Sequence, residues 1–243
     1  MENTSSLNGK SVLVLGGTSG IGLATAKAAA VAGALVTIVS GNQQRVDQAL
    51  TQLPNTSKGF VVNLSQEANI RSFFAGYGNF DHLVYTAGEN IKFSNIVDTD
   101  LDDARDYFSI RYWGAVAAVK YAVPHINAGG SVSLMSGTAA QRPGAGWSLV
   151  SSICGAMESF TRSMAAELAP IRVNAIAAGI VRTNLWNSMP EADREGLYKS
   201  MGDALLVKRI GEAEDIAGTF LYLMQQQYGT GQILTVDGGS SLI

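Results

Sequence analysis

The sequence has few of the residues that metal enzymes and disulfide-linked proteins use. It contains one cysteine, Cys154, and two histidines among 243 residues. A single cysteine cannot form an internal disulfide, and neither histidine lies in a pattern typical of a metal site or a catalytic triad. We therefore expect no bound metal and a protein of the reducing cytoplasm.

Charge is also scarce. Only 15% of the residues are charged, and 17 Lys and Arg against 20 Asp and Glu give a net charge of −3 with no basic block. This argues against a nucleic-acid surface and against a patch for anionic membranes. The longest run of small apolar residues, 28–39, is too short to span a bilayer, and the first ten residues have no signal-peptide core. We expect neither nucleic acid nor membrane as a partner.

Short apolar runs alternate with longer segments of helical periodicity. The predicted strands are 11–15, 35–39, 59–62, 82–85, 131–135, 172–176 and 233–236. The predicted helices are 21–32, 43–53, 66–75, 101–123, 148–168 and 213–225. Apolar strands separated by helices predict an α/β fold, a doubly wound parallel sheet in one three-layer domain over residues 1–243. Residues 181–210 have no predicted strand and are expected to form short helices, either as a mobile lid or as an ordinary surface insertion.

The segment SVLVLGGTSGIGLATAKAAAVAG carries the clearest motif. A predicted strand ends at Leu15, glycines follow at positions 16, 20 and 22, and a helical pattern begins at once. Gly16 permits a sharp turn, Gly20 lets the backbone approach a pyrophosphate, and Gly22 lets the helix pack closely on the strand. The free N–H groups of the helix N-terminus then face the anion. The motif therefore predicts a dinucleotide site.

Four segments in order resemble the short-chain dehydrogenase/reductase family, over essentially the whole chain. Besides the glycine loop they are LVYTAG (83–88), IRVNAIAAGIVRT (171–183) and GQILTVDGG (231–239). The chain departs from the family where Leu15 replaces Thr, Tyr85 and Thr86 replace two Asn, and Ala178 replaces Pro. The resemblance implies a Rossmann fold, a nicotinamide cofactor, and a homotetramer or homodimer formed through helices 101–123 and 148–168 and the C-terminal segment. The residues that it implies for cofactor binding are Gly16, Thr18, Ser19, Gly20, Ile21, Gly22, Ser40, Asn42, Arg45, Asn63, Leu64, Ala87, Gly88, Gly179, Ile180 and Thr183.

The end of the second strand, TIVSGNQQR, indicates which nucleotide binds. It has no Asp or Glu, the residues that bind the ribose hydroxyls of NAD. Ser40 and Asn42 can donate hydrogen bonds to a 2′-phosphate, and Arg45 lies within a turn. Gly41 stands where NADP-dependent members of the family have Arg, and Arg45 is alternatively a solvated helix residue. We expect NADP(H), with NAD(H) as the alternative, and we expect the side-chain oxygen of Asn63 to accept a hydrogen bond from the adenine amino group.

The resemblance also implies a catalytic Asn, Ser, Tyr and Lys, and this chain keeps none of the four. Aligning FTRSMAAEL with the family's helix puts Val150 at the Tyr and Cys154 at the Lys. The strand GGSVSLMSG puts Gly137 at the Ser, and YFSIRYWGAV puts Arg111 at the Asn. The family's proton relay is therefore predicted to be missing from helix 148–168.

Neighbouring residues are candidates to replace it. Ser136 or Thr138 can hold a carbonyl oxygen, or they are ordinary hydroxyls of a strand-end turn. Arg111 can polarise the same oxygen, or it forms a structural ion pair with Asp106 or another acidic residue. We predict Arg111, Ser136 and Thr138 as the catalytic residues.

Three functions follow from a complete cofactor loop without the usual relay. The first is an NADP(H)-dependent oxidoreductase for a small, apolar substrate such as an activated carbonyl, an enone or a quinone, because the hydride comes from the cofactor itself. The second is a non-catalytic NADP(H)-binding sensor or partner subunit, and the third an isomerase or dehydratase that uses the same pocket. NADPH turnover, binding without turnover, and turnover without cofactor distinguish the three.

Overall fold

The computed structural model describes residues 7–88, 90–91 and 93–243. Its strands are β1 Ser11–Leu15, β2 Leu35–Ser40, β3 Lys58–Val61, β4 Phe80–Tyr85, β5 Ile126–Gly137, β6 Arg172–Ala178, β7 Val181–Arg182, β8 Gly211–Glu212 and β9 Ile233–Val236. Within the described residues, seven of these form one parallel sheet in the order β3-β2-β1-β4-β5-β6-β9, and β7 pairs with β8. The expectation of a parallel sheet is confirmed.

Helices cover both faces of the sheet. They are α1 Gly20–Val31, α2 Gln43–Leu50, α3 Glu67–Gly76, α4 Leu101–Phe108, α5 Gly114–Ala122, α6 Ser148–Glu167, α7 Glu191–Ala204 and α8 Ala213–Gln225. One apolar core lies beneath α3, α5 and α6, and a second lies beneath α1 and α8 on the other face. The doubly wound arrangement predicted from the sequence is therefore present.

The two cores explain why the central strands are mainly apolar. Side chains of a strand alternate between the two faces of the sheet. Leu13 and Leu83 lie in the core beneath α3, α5 and α6, whereas their neighbours Val14 and Val84 lie in the other core. Since both faces are buried, most residues on both faces of these strands are apolar.

The structure differs from the sequence prediction in two places that border the site. The predicted helix 101–123 is two helices, α4 and α5, joined by a π-helical turn at Ser109–Trp113. The segment 181–210, predicted to lack a strand, begins with β7 and contains the 14-residue α7. The expectation of no strand there is wrong, because a two-residue pairing leaves no periodicity in the sequence.

The segment 181–210 has a small apolar core of its own. Trp186, Tyr198 and Ile210 are buried together. The Arg182 guanidinium lies 4.4 Å from the centroid of the Tyr198 ring and 2.7 Å from the Glu195 carboxylate. These contacts give the segment internal order, and its role as a lid stays a prediction. Among the described helices, none has the length and apolarity to cross a membrane.

Candidate active site

A cavity of 1090 Å³ opens at the carboxyl ends of the strands, where the strand order reverses between β1 and β4. Such a reversal is the usual ligand crevice of an open parallel sheet. Every residue that the sequence analysis assigned to the cofactor or to catalysis lines this one cavity. Among its described lining residues the charged ones are Arg45, Arg111 and Arg142, so the described walls favour an anionic ligand.

The glycine loop forms a cradle that side chains would fill. At Gly16 the backbone φ is +91°, and a Cβ would lie 2.5 Å from the amide nitrogen of Ala87. A Cβ at Gly22 would lie 2.2 Å from the Gly16 carbonyl oxygen. The Thr86 hydroxyl donates to the carbonyls of Leu15 and Gly16, 3.3 Å from each. The loop therefore fits the close approach of a pyrophosphate to bare backbone at the start of α1.

The segment after β6 closes the cradle from the other side. The amide of Gly179 donates to the carbonyl of Val236 at 3.0 Å, which ties this segment to β9. A Cβ at Gly20 would lie 3.3 Å from the side chain of Thr183. Gly179, Ile180 and Thr183 thus border the same space as the glycine loop, as the sequence predicts.

The residues predicted to bind a 2′-phosphate, Ser40, Asn42 and Arg45, lie at the end of β2 and the start of α2. The side-chain oxygen of Asn42 accepts from the Arg45 amide at 2.9 Å and caps α2, so its amide nitrogen is the group that can donate to a phosphate. A Cβ at Gly41 would have the Val62 carbonyl oxygen as its nearest atom, at 3.7 Å. The site therefore has room for a side chain at position 41.

The side-chain oxygen of Asn63 is used within its own turn. It accepts from the Ser65 amide at 3.0 Å and from the Ser65 hydroxyl at 2.7 Å. A carbonyl oxygen has two lone pairs. The predicted hydrogen bond from adenine to this oxygen therefore competes with the Ser65 hydroxyl.

Elsewhere in the cavity lining, β5 and α6 meet at the positions that the sequence alignment assigns to the family's catalytic Ser, Tyr and Lys. Gly137, Val150 and Cys154 all line the cavity. A Cβ at Gly137 would lie 3.3 Å from the Cys154 sulfur, so a strand-end side chain would touch α6 here. Burial raises the pKa of the Cys154 thiol, which keeps it protonated at neutral pH. These three residues therefore supply neither a cation nor an effective acid.

Arg111 lies in the π-helical turn and faces the cavity. Its guanidinium is 5.0 Å from the centroid of the Tyr107 ring. A Cβ at Gly88 would lie 2.9 Å from the guanidinium carbon, so the side chain packs on bare backbone there. The Tyr85 hydroxyl donates to the carbonyl of Ile110 in the same turn. The sequence showed Tyr85 only as a departure from the family, and the structure shows that it supports the turn that carries Arg111.

The Ser136 hydroxyl is bonded to α6. It donates to the Cys154 carbonyl at 3.2 Å and lies 3.4 Å from the Glu158 carboxylate, which also accepts from Gln141 at 2.7 Å. Thr138 begins the short 3₁₀ turn Thr138–Ala140 beside it. Sequence reasoning missed Glu158, since a helical glutamate usually faces solvent. The catalytic roles of Ser136 and Thr138 stay predictions.

A doubly wound sheet whose switch point carries a glycine cradle and a large cavity is the arrangement of a dinucleotide-binding protein. The chain belongs to the short-chain dehydrogenase/reductase family. The family model described as Enoyl-(Acyl carrier protein) reductase matches residues 16–241.

Relatives and solved structures match along nearly the whole chain. Short-chain dehydrogenase/reductase ATR9 of Stachybotrys chlorohalonatus is 33% identical over 97% of this chain and 98% of its own length. A small-chain dehydrogenase solved in complex with NADPH is 34% identical, with a TM-score of 0.86 over 97% of this chain and all of its own. The MalC reductase/Diels-Alderase from Malbranchea aurantiaca is 28% identical, with a TM-score of 0.91 over the full length of both chains.

Proposed function

We propose that the protein is an NADP(H)-dependent oxidoreductase that reduces activated carbonyls, enones or quinones with Arg111 in place of the usual proton relay. The observation that carries the proposal is the position of Arg111. Its guanidinium lies in the cavity that holds the glycine cradle, fixed by Gly88 and Tyr107, while the relay positions hold Gly137, Val150 and Cys154.

The bound nicotinamide supplies the hydride in this proposal. Arg111 holds the acceptor oxygen and stabilises the negative charge that forms on it. Tyr85 is no substitute proton donor, because burial raises the pKa of its hydroxyl and that hydroxyl already donates to Ile110. A site with a cation and no acid favours acceptors whose charge is delocalised. The similarity to a reductase/Diels-Alderase from Malbranchea aurantiaca supports reduction as the direction of the reaction.

A substitution of Arg111 tests this role. Removing one preorganised electrophile lowers kcat by about 10² to 10³. We expect Arg111→Met to show that loss with an NADPH oxidation assay, while NADPH affinity stays within about twofold. Losing the contact with Tyr107 also costs about 1 kcal/mol of stability, less than would unfold the chain.

Arg105→Met is the matched control, because Arg105 lies on α4 with 71% of its side chain exposed, in an ion pair with Asp102. It should leave kcat unchanged. An unchanged kcat in Arg111→Met, or equal losses of kcat in Arg111→Met and Arg105→Met, would show that Arg111 has only a structural role.

The preference for NADP(H) rests on the end of β2. Ser40, the amide nitrogen of Asn42 and Arg45 can surround a 2′-phosphate, and the small-chain dehydrogenase solved with NADPH supports this nucleotide. Titration should show tighter binding of NADPH than of NADH. Gly41→Asp fits the space at this position and should weaken NADPH more than NADH by repelling the phosphate. Equal affinities for the two nucleotides in the wild type would refute the preference.

The same assays separate the other functions. Nucleotide binding without turnover of any acceptor would identify a sensor or partner subunit, and turnover without nucleotide would identify an isomerase or dehydratase.

A homotetramer or homodimer in the cytoplasm remains part of the proposal. Sedimentation of the purified protein tests the assembly.

A further inference from the structure

Three aromatic side chains from different parts of the chain meet at one end of the main cavity. The ring centroid of Phe93 lies 5.1 Å from that of Trp147 and 6.3 Å from that of Trp186, each at an interplanar angle of 32°. Phe93 keeps 42% of its surface exposed beside these two indoles. All three line the main cavity, and we call them the aromatic wall.

The wall is held in place by the residues around it. The Trp186 indole N–H donates to the carbonyl of Val181 at 3.1 Å, and this tryptophan is 7% exposed. The Trp147 amide donates to the carbonyl of Gly144 at 3.1 Å. The exposed face of Phe93 is therefore the open part of a fixed aromatic surface.

A second cavity of 490 Å³ begins at this wall. Phe93 and Trp186 line both cavities, and Leu149 and Met189 extend the apolar lining into the second one, whose lining also includes Asp98, Asp100 and Asp103. None of the described residues that line it belongs to the set predicted to bind the cofactor. We call it the outer cavity. Its volume is that of a typical site for a small organic molecule.

We propose that the substrate is a planar polycyclic quinone or enone whose rings stack on the aromatic wall and extend into the outer cavity. This inference rests on the proposed function, and it narrows the substrate to one class. Offset stacking between rings is favoured by their quadrupoles, whereas an aliphatic ring gains only apolar contact. Phe93 and Arg111 line the same cavity. The exposed face of Phe93 therefore matches a flat acceptor whose oxygen binds the Arg111 guanidinium.

The reaction balances for a quinone. A hydride brings two electrons and one proton to the quinone, which becomes a hydroquinone monoanion, while NADPH becomes NADP⁺. The anion then takes one proton from water. No step needs a proton donor from the chain. This agrees with Gly137, Val150 and Cys154, none of which is an effective acid.

Binding of a planar ligand that cannot be reduced tests the wall without any turnover. The probe is phenanthridinone, a flat three-ring lactam, added to the protein saturated with NADP⁺ and followed by quenching of tryptophan fluorescence. The chain has three tryptophans, and the third, Trp113, is 61% exposed on the π-helical turn. The titrations therefore use a Trp113→Phe background, so that the signal comes from Trp147 and Trp186.

We expect saturable binding that Phe93→Leu weakens about tenfold, since leucine keeps the apolar volume and loses the ring. Phe60→Leu is the matched control, because Phe60 is 38% exposed and packs edge-on against Phe73 far along the sheet on β3. Cyclohexenone, the aliphatic probe measured by competition, should lose less than about twofold in the Phe93 variant.

Two results would overturn the inference. One is phenanthridinone binding that Phe93→Leu leaves unchanged, and the other is equal affinity for the planar and aliphatic probes. If phenanthridinone binds as expected but phenanthrenequinone does not oxidise NADPH, the wall stands and the proposed function fails. If cyclohexenone oxidises NADPH but phenanthridinone does not bind, the function stands and the wall fails.

Discussion

Ordinary ketones should be poor substrates, and rebuilding the family's relay should make them good ones. Reduction of a ketone forms a localised alkoxide that has to be protonated. A positioned proton donor contributes about 10² to 10⁴ in rate, and a hydrogen bond to the oxyanion about 10² to 10³. Gly137, Val150 and Cys154 supply neither. The rebuilt chain therefore carries Gly137→Ser, Val150→Tyr and Cys154→Lys.

The structure shows which of these changes fit. A Cβ at position 137 has only two near neighbours, the Cys154 sulfur at 3.3 Å and the Ala178 carbonyl oxygen at 3.5 Å, and the first is itself replaced. Val150 already borders the cavity, so a tyrosine there can extend into open space. The serine and the tyrosine should therefore be accommodated.

The lysine is the difficult substitution, because the charge of Arg111 acts on position 154. At Cys154 this charge opposes the rise in the thiol pKa that burial causes. Two like charges in one partly dry site repel, which lowers the pKa of a lysine at this position. A fourth change, Arg111→Asn, removes this repulsion and restores the family's residue. We therefore expect the fourfold variant to exceed the threefold one.

Steady-state NADPH oxidation with a panel of simple ketones measures the gain. Because residues that act as a unit are not additive, the fourfold variant should exceed the wild type by about 10² to 10⁴ rather than by the product of the separate effects. Thermal unfolding and NADPH titration of each variant establish that it folds. A wild type that reduces simple ketones at tens per second, or a threefold variant that exceeds the fourfold one, would refute this account of the site.

Three further perturbations have outcomes that the structure fixes. Gly22→Ala places a methyl 2.2 Å from the Gly16 carbonyl and should weaken NADPH at least tenfold, whereas Gly155→Ala, with nothing within 4 Å, should not change the affinity. His82 is 4% exposed, and burial lowers its pKa to about 4, so its neutral form is favoured on folding. The contribution of His82 to the free energy of unfolding should be complete above pH 6.5 and should fall by up to about 3 kcal/mol as the pH drops from 6.5 to 4. Chemical denaturation at several pH values measures this loss. An NMR signal of the His82 imidazole that titrates near 6.5 would contradict it. Glu158→Ala should cost about 1 to 2 kcal/mol in the same denaturation assay, because it removes a charged acceptor to which Ser136 and Gln141 donate, while Glu158→Gln should cost less.

The main elements were predictable because their signals are local. Most buried strands contain a short apolar run, and the bounds of β1, β9 and α8 agree with their predicted ranges. The glycine spacing 16, 20 and 22 predicted the cradle, since the turn, the backbone approach and the helix packing each require a glycine at a fixed place.

The support of Arg111 was not predictable, because it consists of contacts between distant segments. The apolar spacing runs on through the π-helical turn, so nothing in the sequence marks the extra residue there. The hydroxyl of Tyr85 reaches Ile110 only after β4 and the turn are in place. The meeting of Phe93 with two tryptophans likewise depends on three loops at once. Such contacts are set by the packed fold rather than by periodicity.

The proposed function, with a fixed cation in place of a proton relay, changes the reactions that this site favours. A guanidinium donates hydrogen bonds and keeps its protons. On the proposal made here, Arg111 therefore stabilises an oxyanion as it forms but does not neutralise it. A localised alkoxide is too basic to be released in that form, whereas an enolate or phenolate spreads its charge over a π system and takes its proton from water. The aromatic wall offers a surface to that same π system. In these two proposals, Arg111 and the aromatic wall favour the same acceptor, a flat ring system that delocalises the negative charge formed by hydride transfer.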